Sequence, residues 1–130
     1  MLHLRLVVFS SSLLLSFSAI AFDEDRAINN MAHDLAICSA YFTVISEMPQ
    51  LPTGVKEQYS NAGFVMYSAS TSLTNKNSAT ARLEMAVQEM LTTLDGKAEN
   101  WSILIHSYRD KCKELSENPD ARMAYWLEQE

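Results

Sequence analysis

Apolar residues recur along this chain at intervals of three and four, the period of a helix with one buried face. The first such run predicts a helix from about Asp25 to Glu47. Its seam is Ile28, Met31, Leu35, Cys38, Phe42 and Ile45. Pro49 and Pro52 end it, and Pro49 to Gly54 forms the connection. A second helix is predicted from Val55 to Leu73, with Val55, Tyr59, Ala62, Met66, Ala69 and Leu73 inward and Thr53 as N-cap. The polar run Thr74-Asn75-Lys76-Asn77 reads as a turn, with Asn77 or Ser78 capping a third helix from Ala79 to Leu94. Leu83, Val87, Met90 and Leu94 form its inner face. Asp95-Gly96 then reads as a stop, because glycine suits the left-handed residue after a helix end.

A fourth helix is predicted from Lys97 to Glu117. Its seam is Ala98, Trp101, Ile105, Tyr108, Cys112 and Leu115. Asn118-Pro119 stops it and opens a short fifth helix carrying Ala121, Met123, Ala124, Tyr125, Trp126 and Leu127, since proline is favoured at the first helical position. The expected fold class is therefore all-α: an antiparallel, up-down-up-down four-helix bundle with a short C-terminal helix.

The first 21 residues have a different character. Arg5 precedes an apolar stretch broken by serines, and Ala19-Ile20-Ala21 is the small-x-small pattern that a signal peptidase cuts after. Residues 1–21 read as a cleaved signal peptide and 22–130 as a single helical domain. The segment is shorter than the roughly 20 mostly apolar residues a spanning helix needs. The expected localisation is export, periplasmic or secreted, with no membrane association after cleavage. In that setting the only two cysteines, Cys38 and Cys112, are expected to pair. Both lie on inner seams, one on the first long helix and one on the last. Cys38 lies deep in its helix and Cys112 near the end of its own. The first helix must then overhang the fourth by about 12 Å, leaving Ile28 and Met31 for the tail helix to cover.

The formal charge is -6, with ten basic residues against 16 acidic. Such a surface repels nucleic acid and anionic lipid, and attracts a basic polypeptide. His33 and His106 lack companions at metal-ligand spacing, so no metal site is expected. There is no Cys-x-x-Cys, no Gly-x-Ser-x-Gly and no glycine-rich phosphate loop. No catalytic residue and no cofactor is expected. Asn100-Trp101-Ser102 fits the N-glycosylation pattern.

The first helix also carries a second apolar stripe, Ile37, Tyr41, Val44 and Met48. Phe64 and Ile103 point outward on the same helical phases. One reading is that the first helix is simply more buried, contacting two neighbours and the tail; the other makes Ile37, Tyr41, Val44 and Phe64 the candidate interface, for a protein partner or a homodimer. The expected function is an exported, non-enzymatic protein that binds a polypeptide as an inhibitor, immunity or chaperone-like module. The alternative is a carrier of a small apolar ligand within the bundle. In size, export, helicity and a single long-range bridge the chain resembles periplasmic acid-stress chaperones and helical periplasmic immunity proteins. That likeness of class carries over no site residue.

Overall fold

The computed structural model describes residues 13–129, with side chains from Asp23 onward. Five α-helices follow in order: α1 Leu13–Ser46, α2 Thr53–Leu73, α3 Lys76–Leu94, α4 Trp101–Glu117 and α5 Pro119–Glu128. A single 3-10 turn, Ala98–Asn100, leads into α4. The chain is thus all-helical over the described residues. Most of the expected signal segment, residues 1–12, lies outside them. Its remainder continues α1, so the helical backbone runs unbroken through the Ala21–Phe22 junction.

Burial explains why α1 is the organising element. Between Ala27 and Glu47 only Asn29, His33, Thr43 and Glu47 are exposed. A helix that is apolar around most of its circumference needs neighbours on most sides. α1 packs against all four other helices. In a square bundle α3 would stand diagonally from α1. Here it packs directly on α1, more extensively than α4 does. The small buried residues Ala79 and Ala86 permit that approach.

The tightest contact is between α1 and α2. Ser39 Oγ donates to the Gly63 carbonyl at 2.7 Å, and Ser70 Oγ donates to the Ala32 carbonyl at 2.7 Å. The two bonds lie two turns apart on both helices and in opposite order, which fixes an antiparallel register. Gly63 relieves crowding at the crossing. A Cβ there would stand 2.6 Å from Thr43 Oγ1 and 3.2 Å from the Ser39 carbonyl oxygen.

Helix ends differ from expectation at three points. α3 begins at Lys76, and its N-cap is Asn75, whose Oδ1 accepts from Ser78 N at 2.9 Å; neither Asn77 nor Ser78 is the cap. α2 begins at Thr53 itself, with Pro52 before it and no side-chain cap. Ala98 lies exposed in the 3-10 turn, and Leu104 joins Cys112 and Leu115 as the buried face of α4. The stop after α3 is real, and both Asp95 (φ 47°) and Gly96 (φ 66°) are left-handed. Asn100 closes that end by donating from Nδ2 to the carbonyls of Thr93 and Leu94, at 3.1 and 3.2 Å. The amide of the glycosylation-like triplet is therefore engaged as a helix cap.

Cys38 and Cys112 form a disulfide, with their Cα atoms 5.3 Å apart. It joins the C-terminal third of α1 to the last turns of α4. Beyond it, α5 turns back along the exposed length of α1, from Asp34 toward Arg26, which donates to the Gln129 carbonyl. Met31 is buried and Ile28 half-buried there, and Met123 and Trp126 of α5 pack against the core.

Candidate functional site

The four residues expected to form an interface do not share a surface. Tyr41 is 2% exposed and Val44 5%. Both belong to the core, so this part of the second stripe of α1 is covered by the protein itself rather than open to solvent. The Tyr41 ring lies 5.9 Å from that of Tyr108 and 5.5 Å from that of Phe42, which in turn lies 6.1 Å from Tyr59. This cluster ties α1, α2 and α4 together. Burial, reinforced by neighbouring Tyr59, pushes the Tyr41 hydroxyl up to about 12. Arg109 acts in the opposite sense and Asp110 in the same one. Tyr108 is raised by burial and then by Glu89. Ile37 is half-buried at the edge of a cleft. Only Phe64 stands in solvent, at 70% exposure.

Leu91, Ile103 and Leu127 are each about half exposed, Ile103 pointing outward as expected, and two further places depart more clearly from a solvated helix face. The first is on α2, where Val65, 60% exposed, adjoins Phe64. On α3, Met85 is 73% exposed. Tyr67 Oη and Thr80 Oγ1 are hydrogen-bonded at 2.8 Å between these helices. Counting along both helices from that bond puts Phe64 and Met85 within about 3 Å of the same level.

The second is a cleft of about 180 Å³ between α1, α4 and α5. Ile37, Cys38, Leu115 and Ala121 give it apolar walls. Asp34, Lys111, Glu114, Arg122 and Tyr125 complete it. Asp34 organises one side. Its Oδ2 accepts from Arg122 Nε at 2.6 Å and from Trp126 Nε1 at 2.7 Å. The Arg122 guanidinium lies over the rings of Tyr125 (4.5 Å) and Trp126 (4.7 Å). One carboxylate thus fastens α5 to α1 through a cation and an indole. Sequence reasoning does not single out Asp34. It is the one Asp, Glu, Lys or Arg between Ala27 and Ser46, and a lone charge set within the most apolar helix is the signal that could have found it.

His33 and His106 are both exposed. Among the described residues, no group of three or more His, Cys, Asp or Glu side chains converges. No helix among them is long and apolar enough to cross a membrane. A formed disulfide fits an oxidising compartment. Compared with known families, curated proteins and solved structures, the chain matches none.

Proposed function

We propose that this protein is an exported, non-enzymatic helical module that binds a polypeptide partner, in the manner of an inhibitor, an immunity protein or a chaperone-like protein. The observation that carries this reading is the adjacent pair Phe64 and Val65, both well over half exposed on α2. Covering a phenylalanine and a valine is worth about 1.5–3 kcal/mol each, so the pair is suited to anchor an interface. The charge of -6 favours a basic partner and works against a second copy of the same acidic chain.

The scaffold is read as an up-down-up-down run of four antiparallel helices gathered round α1, with α5 as a strap. Export is supported by the signal-like start and by the bridge. Cleavage after Ala21 would leave Asp23, Glu24 and Asp25 in the first turn of α1, where carboxylates offset the helix dipole. The apolar-carrier alternative draws less support. The cleft of about 180 Å³ is lined by four charged side chains and falls below the roughly 300–1,000 Å³ of drug-sized ligand sites.

The test is native mass spectrometry of protein isolated from the exported fraction of its host, wild type beside Phe64→Glu. A mass starting at Phe22 and a complex with a basic protein are expected. Phe64→Glu should remove that complex and shift stability by no more than about 0.5 kcal/mol. A complex that survives the substitution would place binding elsewhere.

A further inference from the structure

The cleft is built differently from the rest of the surface. Each of its two sides carries one cation and one carboxylate. On one side Arg122 is committed to Asp34 through Nε, and its two terminal amino groups make no hydrogen bond among the described residues. On the other, Lys111 and Glu114 sit one turn apart on α4; neither has an ion-pair partner among the described residues, and the Lys111 ammonium lies 5.1 Å from the centre of the Tyr108 ring. Side chains three residues apart on a helix have Cβ atoms about 5–6 Å apart, so two opposite charges are offered at neighbouring positions. Between them lie Ile37, Leu115 and Ala121, apolar and close to the disulfide. The volume, about 180 Å³, is that of about six waters, or one small amino acid.

We propose that this cleft binds a free α-amino acid with a short aliphatic side chain. Its carboxylate meets Lys111 and the open edge of Arg122. Its ammonium meets Glu114, and its side chain rests on Ile37 and Leu115. A simple carboxylate would face Glu114 unfavourably, and a simple amine would face the two cations. A zwitterion satisfies both. The site shares no residue with the Phe64–Val65 face and stands independently of it.

Calorimetric titration of the intact, oxidised protein with L-valine tests this. Binding at about 1 mM or tighter is expected. Isovalerate, which lacks the ammonium, and valinamide, which lacks the carboxylate, should each bind about tenfold more weakly or worse. Lys111→Gln and Glu114→Gln should each weaken valine about tenfold with the melting temperature little changed, because both side chains are exposed, Glu114 has no ion-pair partner and Lys111 has only its exposed contact with the Tyr108 ring. Arg122→Gln should do the same but also loosens α5, so the two α4 variants are the decisive ones. Absence of valine binding at about 10 mM, or binding indifferent to both α4 variants, would overturn the site. Gly-Gly-Val binding as tightly as valine would overturn the amino-acid assignment in favour of a polypeptide C-terminus.

Discussion

At the scale of single residues, the structure turns on side chains whose roles depend on what lies across from them. Val44 is the clearest case. Its helical phase sets it on a second apolar stripe, and phase alone does not say whether a neighbour covers that stripe. Val44 is covered in the core, so Val44→Glu buries an unpaired charge and should destabilise the protein by at least about 3 kcal/mol in a denaturant titration. Gly63 is invisible in the sequence for a related reason: a glycine inside a helix reads as a small propensity cost until the facing backbone is known. Gly63→Ala should lower stability by about 1–3 kcal/mol, despite alanine's better helix propensity, because the new methyl meets Thr43 and the Ser39 carbonyl. Tyr41 gives a pH signature. Its hydroxyl ionises near 12 in the folded protein and near 10 once unfolded. The unfolded chain therefore loses the proton first, and stability falls as pH rises from about 10 to about 12. Tyr41→Phe should flatten the alkaline limb of a stability–pH curve relative to wild type.

At the scale of elements, the helices and their order are legible because their apolar spacing is regular and Pro49, Pro52, Gly96 and Pro119 punctuate it. The ends are less so. Asn75, Asn77 and Ser78 are all competent caps, and the choice among them depends on where the first turn can close. The hub position of α1 is only partly legible. Its breadth of apolar residues is visible, but that breadth is equally consistent with an exposed face. The role of α5 as a cover for α1 follows from the position of the bridge, whereas its fastening through Asp34 does not. That fastening makes a separable prediction. Asp34→Asn weakens the pairing with Arg122 and leaves the core intact. Hydrogen exchange should then accelerate through the α5 amides while those of α1 and α2 keep their protection.

At the scale of the whole molecule, the bridge sets the stability. Cys38 and Cys112 are 74 positions apart, and closing a loop of that length is worth about 4.5 kcal/mol on the chain-entropy estimate. Reduction should lower the melting temperature by on the order of 10–30 °C, measured with and without a thiol reductant. The central place of α1 also has a consequence in time. Ribosomes make the N-terminus first, so the helix with the most apolar circumference appears before any of the four that cover it. Cys38 is made long before Cys112 exists. Throughout that interval its thiol has no correct partner, while α2 and α3 can already cover part of α1; the faces met by α4 and α5 stay open until the last 30 or so residues arrive. The bridge is then a late event, and a chain stopped before α4 lacks the partner that closes it.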